Sequence, residues 1–394
     1  MAANELDGAP EPFFFRHSAR QILFGPGKLS ELAEIAKARN VERVVVVMDG
    51  FFIGGPLEAR VREVLGNVID VEVHGVPIQE PDTETVEACR QVLEDQLPDM
   101  VIAVGGGSTM DTAKVARILL SNPGSVEEMA GFERYYEPHR SIMVCVPSTA
   151  GTASEVSEMA VIGLKGSDIK LRYRSQNMTA QFAVLDPELL LSAPPSVTAN
   201  TGYDALTHAI ESYISRGANI MSDPYALDAI RRLVKWLPVA YREGDNLTAR
   251  GHCHIGSMLA GVAFNSTQLG LAHAIAAPLG NIHHVVHGKA NALALPAIIA
   301  YNEPELGEKG QILAETLGSE TPSEGVARIR AELDLDIGLD EIVTTDEERE
   351  TIIEAAMKSG NVPYSPREPS VEHIRAIVAS MRQPIGASRP VLEI

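Results

Sequence analysis

Between residues 13 and 190, short apolar runs alternate with stretches of helical period. QILFG (21–25), RVVVVMD (43–49), DVEVHG (70–75), MVIAVGGG (100–107), SIMVCVPS (141–148), AVIGL (160–164) and QFAVLD (181–186) predict strands. KLSELAEIAKAR (28–39), PLEARVREVL (56–65) and TVEACRQVLEDQ (85–96) predict amphipathic helices between several of them. Continuously apolar strands alternating with helices imply a parallel, Rossmann-like sheet covered on both faces. After Asp186-Pro187 the texture changes, and Pro194 and Pro195 mark a break. Helical period then dominates, over 204–215, 223–242, 248–263, 289–302, 305–317, 322–333, 346–358 and 370–382. The expectation is an α/β domain over 1–190, with 1–12 a mobile tail, followed by an all-helical domain over 191–394.

Composition narrows the class. A chain of 394 residues with 45% hydrophobic and 22% charged residues is globular and long enough for two cores. No apolar run approaches the roughly 18–20 residues of a membrane helix, and the N-terminus lacks the basic and apolar regions of a secretory signal. Three cysteines without a CxxC pair indicate neither a disulfide framework nor a thiolate zinc site, so a reducing cytoplasm is expected. A net charge of −20 argues against nucleic acid or an anionic membrane as partner. Lys165, Lys170, Arg172 and Arg174 form a short basic cluster, read first as a solvated loop or strand edge.

GGGSTMDTAK (105–114) follows the most apolar strand and opens a helix. Gly105, Gly106 and Gly107 let the backbone approach a ligand, and the first helical amides then face an anion such as a diphosphate. Ser108 and Asp111, within the same motif, are counted with this set. It is not a Walker A loop, because Lys114 lies seven positions beyond Gly107, and it lacks the GxGxxG fingerprint. The acid that would accept from an adenosine ribose is Asp49, ending the strand before the glycines; it would repel a 2′-phosphate and favour NAD over NADP. The bland alternative is a strand-terminal turn aspartate. PSTAGTASE (147–155) offers Ser148, Thr149 and Thr152 to a dinucleotide, or else merely satisfies its own backbone at a helix entry.

In the second half, TGYDALTHAIESY (201–213) sets Asp204 and His208 four apart on one helical face. GLAHAIAAPLGNIHHVVHGKANA (270–292) adds His273 and His287 among small and apolar residues. One carboxylate and three imidazoles suit Fe²⁺ or Zn²⁺ better than Mg²⁺ or Ca²⁺. Competing sets remain: His283 or His284 can substitute as ligands, whereas His252 and His254 alternate helix faces around Cys253.

With these motifs in this order, the chain resembles the iron-containing (group III) alcohol dehydrogenases from FGPGKLSEL (24–32) to PREPSVEHI (366–374). The resemblance implies a dehydroquinate synthase-like architecture: a nucleotide-binding α/β domain, a helical domain and an active site between them. It implies an NAD(P)-linked, metal-dependent dehydrogenase or reductase of a small primary alcohol or aldehyde, with the metal as Lewis acid. Carried over, the ligands are Asp204, His208, His273 and His287. The dinucleotide contacts are Asp49, Gly106, Gly107, Ser108, Ser148, Thr149, Thr152 and Lys170, and Phe264 is an aromatic wall near the substrate. Relatives are often dimers, so a homo-oligomer is expected. Two departures stand out. Ala277 replaces a histidine thought to relay the alcohol proton, leaving His283 or His284 as candidate relays, and Thr109 replaces a common proline. Rival readings are a dehydroquinate synthase-type lyase, which would need more basic residues in these motifs, and a metal-dependent hydrolase. Arg172 and Arg174 are read as offsetting nearby acids rather than as binding an anionic substrate.

Overall fold

The computed structural model describes residues 13–16, 19–66, 70–78, 80–132, 134–386, 390 and 392; the expected tail, 1–12, lies outside them. In chain order the first half runs β1 (Gln21–Phe24), α1 (Glu31–Ala38), β2 (Arg43–Asp49), α2 (Pro56–Leu65), β3 (Asp70–Val76), α3 (Thr83–Gln96), β4 (Met100–Gly105), α4 (Gly107–Leu119) and β5 (Ile142–Pro147). A hairpin, β6 (Met159–Gly163) and β7 (Lys170–Arg174), precedes β8 (Phe182–Leu185). Six strands form one parallel sheet in the order β1-β8-β5-β4-β2-β3.

Strand alternation divides the apolar residues between two cores. Val45, Val47, Val101 and Ala103 pack under α3 and α4, while Val44, Val46, Met48, Ile102 and Val104 pack under α1 and α2. The chain moves outward from β2 to β3 and returns past β2 to β4, so α2 and α4 cover opposite faces. The C-terminal ends of β2 and β4 therefore border a crevice at the point where strand order reverses, where open parallel sheets take ligands.

One strand expectation is corrected. The AVIGL segment does not join the parallel sheet; β6 pairs antiparallel with β7, a strand that the charged KLRYR pattern hid. Alternate charges conceal a strand that is half-buried at an edge.

The second half contains α5 (Pro195–Ile214), α6 (Ser222–Arg242), α7 (Leu247–Thr267), α8 (Leu271–His283), α9 (His287–Leu317), α10 (Pro322–Glu332), α11 (Asp346–Met357) and α12 (Val371–Ser380). Helix α5 begins nine residues before the expected 204, with Pro195 at its first position, where the missing N–H costs nothing. The pattern concealed α8 because it is apolar nearly all round, Leu271 to Ala276 being buried, so no polar face marks a period. The two helices expected at 289–302 and 305–317 lie within α9, broken at Gly307, where φ is 51°. Ala19, Ala153, Val156, Ala183 and Leu185 share a small core with Val262 and Phe264 of α7, joining the two halves. Among the described residues no helix is long and apolar enough to cross a membrane. All three cysteines are free and buried.

Candidate metal centre and nucleotide crevice

Three helices bring the four expected ligands together. Asp204 and His208 lie one turn apart on α5, His273 lies in the first turn of α8, and His287 is the first residue of α9. Asp204 Oδ1 stands 3.8 Å from His208 Nε2, 3.7 Å from His273 Nε2 and 3.6 Å from His287 Nε2. These separations are too long for hydrogen bonds. Ligand atoms each about 2.0–2.2 Å from one tetrahedral ion stand roughly 3.3–3.6 Å apart. Those of Asp204, His208 and His273 lie within 4.8 Å of one another, so these three can close on a single cation, with His287 Nε2 beside the same Asp204 oxygen. Asp204, His208 and His273 form a buried trio, while the His287 side chain is 44% exposed at the mouth.

Electrostatics favour the same use. Burial pushes His208 down to about 4, leaving a neutral imidazole, and its Nδ1 has no hydrogen-bond partner. Burial opposes ionisation of Asp204, but His208, His287 and His273 together hold its carboxyl below the usual range. His273 is pulled down by burial and more strongly up by the carboxylates of Asp204 and Glu211, reaching about 9, so in the metal-free protein it carries a second proton that a bound ion would displace. Sequence reasoning missed two neighbours. Glu211 Oε2 accepts from His273 Nδ1 at 2.6 Å, and Asn291 Nδ2 donates to Asp204 Oδ1 at 2.8 Å. Their only sequence signal is spacing: Glu211 follows His208 by three residues, and Asn291 follows His287 by four. The Phe264 ring lies against His208, with centroids 4.8 Å apart.

At the crevice, Asp49 ends β2 and accepts from Phe51 N, so the turn role is real; its Cβ also faces Gly105 across the β2–β4 pair. A Cβ on Gly105 would stand 2.9 Å from that of Asp49 and 2.5 Å from Thr109 Oγ1. The hydroxyl loop packs on the glycine turn. Ser148 N donates to Gly105 O at 2.9 Å, and a Cβ on Gly107 would meet Thr152 Oγ1 at 2.7 Å. Ser148 is buried, Thr149 and Ser108 are half-buried, and Thr152 is exposed. A small cavity beside this loop is lined by Thr149, Leu190, Thr198, Thr201, Arg250 and Cys253. Gly151 presses against Thr201, three residues before Asp204, so the hydroxyl loop abuts the helix of the metal site.

Other expectations are redirected. Asp111 accepts from Ser154 Oγ at 2.6 Å and from Val161 N at 2.9 Å, so it braces the 152–161 segment instead of facing the glycine turn. Lys114 is buried and donates to Ser154 Oγ and to the carbonyls of Ser157 and Met159. Lys170 pairs with Glu80, and the charges of both bear on His287. Arg174 is buried against Glu158, 2.7 Å away, as the charge-offsetting reading requires. His283 lies ten residues beyond His273, about 15 Å along the helix axis. It sits where its charge reaches Glu348, before α11's Arg349. His284 is an exposed left-handed cap with φ 54°. Neither bonds to any of the four ligands, and the relay assignment to them gains no support from the structure.

Glu155, at the end of the hydroxyl loop, is buried, and burial pushes its carboxyl up to about 7 against the pull of Lys114. A raised acid favours the folded state while protonated. That contribution is complete below the unfolded value near 4.5 and lost as pH rises through about 7. Replacing Glu155→Gln should flatten the dependence of Tm on pH across this window; an unchanged profile in thermal scans would refute the account.

Comparison with known proteins agrees with this geometry. Residues 19–187 match the family model "Iron-containing alcohol dehydrogenase", and residues 198–381 match "Fe-containing alcohol dehydrogenase family, C-terminal". The chain is 32% identical over 368 residues to a 1,3-propanediol dehydrogenase of Citrobacter freundii, covering 90% of this chain and 95% of that protein. A crystal structure of a 1,3-propanediol oxidoreductase superposes with a TM-score of 0.88 at 30% identity, covering 93% of this chain and 99% of that one. A sulfoacetaldehyde reductase from Bifidobacterium kashiwanohense, solved with NAD⁺, gives 0.89 at 26% identity, covering 94% and 99%. The chain belongs to the iron-containing alcohol dehydrogenase family. It is a metal-dependent oxidoreductase of CH–OH groups in a family named for iron, which displaces the lyase and hydrolase readings.

Proposed function

We propose that the protein interconverts a small primary alcohol and its aldehyde with NAD, binding Fe²⁺ through Asp204, His208, His273 and His287. The observation that carries this reading is the meeting of three imidazole Nε2 atoms around one buried aspartate oxygen, beside a glycine turn at a sheet switch point. Zn²⁺ suits the same donors. When bound, the ion supplies Lewis acidity toward the substrate oxygen, and NAD accepts or returns the hydride. The chain's own groups do the positioning. The amides of the Gly105–Ser108 turn receive the diphosphate, Asp49 accepts from the ribose, and Ser148, Thr149 and Thr152 line the path between. Lys170, on its strand edge, lies where its charge reaches the mouth and would contact the cofactor. Phe264 keeps an apolar wall beside His208, excluding water from the reacting end. Ala277 presents a methyl one turn after His273, so no titratable side chain stands there to move a proton. A cytoplasmic homo-oligomer completes the reading.

The direct test loads anaerobically purified protein with Fe²⁺ and follows NADH consumption against a panel of short aldehydes. Turnover that tracks metal content supports the proposal; silence across a wide panel by a metal-loaded protein overturns it. For coenzyme choice, a carboxylate about 4–6 Å from a 2′-phosphate costs on the order of 1–2 kcal/mol. Asp49→Ser should therefore raise the NADPH-to-NADH ratio of kcat/KM by roughly tenfold. An unmoved ratio would remove Asp49 from the ribose site.

A further inference from the structure

Glu211 lies on α5 two turns after Asp204 and one turn after His208, and it is buried to 1% exposure. Three donors converge on its carboxylate. Oε1 accepts from Ala272 N at 2.7 Å; Oε2 accepts from Gly270 N at 3.0 Å and from His273 Nδ1 at 2.6 Å. Helix α8 has no side-chain cap of its own, because Gly270 stands at its N-cap. Its first amides are satisfied from the neighbouring helix instead. The glycine leaves room for the carboxylate, since a Cβ at Gly270 would lie 2.8 Å from Glu211 Oε1.

We propose that Glu211 is the positioning residue of the metal centre. One carboxylate caps α8 and holds the proton on His273 Nδ1, so that Nε2, which faces Asp204 and Asn291, is the nitrogen left for an ion. This rests on the reading of the four residues as metal ligands. A ligating histidine whose second nitrogen is bonded to a carboxylate has its tautomer and ring angle set in advance. The same bond ties α8 to α5, so the two helices that carry three of the four ligands share one anchor.

A glutamine cannot reproduce this. Its single carbonyl faces donors on both sides, so whichever way the amide turns, its NH₂ meets an N–H. Glu211→Gln should weaken Zn²⁺ binding by the folded apo-protein about 10–100-fold, measured by chelator competition below the onset of unfolding. A lowered Tm with an unchanged zinc Kd would assign Glu211 to structure alone and overturn the proposal. A second measurement avoids the variant altogether. In zinc-loaded wild-type protein labelled with ¹⁵N-histidine, His273 should show a protonated Nδ1 and a metal-shifted Nε2. The opposite tautomer, or metal at Nδ1, overturns the proposal even if the variant fails to fold. Wild-type protein that takes up no zinc sinks the four-ligand reading itself, a result separable from a bound but Glu211-independent ion.

Discussion

Replacing His273 by alanine removes metal uptake and turnover together. The imidazole contributes one of three Nε2 atoms arranged around Asp204 Oδ1, and it is the ring held in place from behind by Glu211. With that ring gone the buried trio is reduced to Asp204 and His208, with only the half-exposed His287 beside them, so the site loses its hold on the ion. Loss of Lewis acidity, worth several kcal/mol of transition-state stabilisation, should lower kcat/KM by at least about a thousandfold. Stability should fall as well, because Glu211 loses a buried charge-assisted hydrogen bond, with a cost on the order of 1–3 kcal/mol. Metal analysis, steady-state kinetics and thermal scans on the same preparation check the three effects. Asp204→Ala should behave likewise in metal content and activity. Wild-type turnover by metal-free His273→Ala protein would dismantle the assignment.

The second large effect comes from a residue with no functional group. Gly288 follows His287 at the start of α9, and a Cβ there would stand 1.9 Å from the backbone oxygen of Asn200 on α5. Backbone cannot swing aside as a side chain does, so Gly288→Ala must push the end of α9 away from α5. Overpacking of this kind costs about 1–3 kcal/mol or more. The displacement also carries His287 away from Asp204, four residues beyond Asn200. We expect a lower Tm and a weaker zinc affinity in the same variant. His287→Ala should weaken zinc binding while leaving Tm close to wild type, because its ring is half exposed. A Gly288→Ala protein as stable and as metal-avid as the parent would show that this close approach does not position the ligand.

Much of the site was legible because its chemistry follows local spacing. Asp204 and His208 share a helical face, and the glycines directly follow an apolar strand, so short-range pattern is enough to find them. The parallel sheet was legible for the same reason: its strands are buried on both faces and read as unbroken apolar runs. What escaped depends on pairing between distant segments. Glu211 meets His273 from 62 residues away, and nothing near either residue announces the partner. Asp111 looked like part of the glycine motif, yet its helical position turns it toward Ser154, 43 residues on. The hairpin strand β7 hid because its charges find partners: Lys170 at Glu80 and Arg174 at Glu158. His283 looked close to His287 in sequence, but the axis of α8 carries it away from the ligands. Helix α8 itself escaped because a segment buried nearly all round has no period to read.

The unequal exposure of the four ligands gives the centre a front and a back. Asp204, His208 and His273 line a dry rear wall, and His287 stands alone at the threshold. An arriving ion thus meets a prepared cradle of three and is fastened by the fourth, and a departing one must first undo that last ring. Of the four side chains His287 is the one most open to chelators and dioxygen. The lifetime of the loaded enzyme is therefore governed by how firmly the opening turn of α9 is seated.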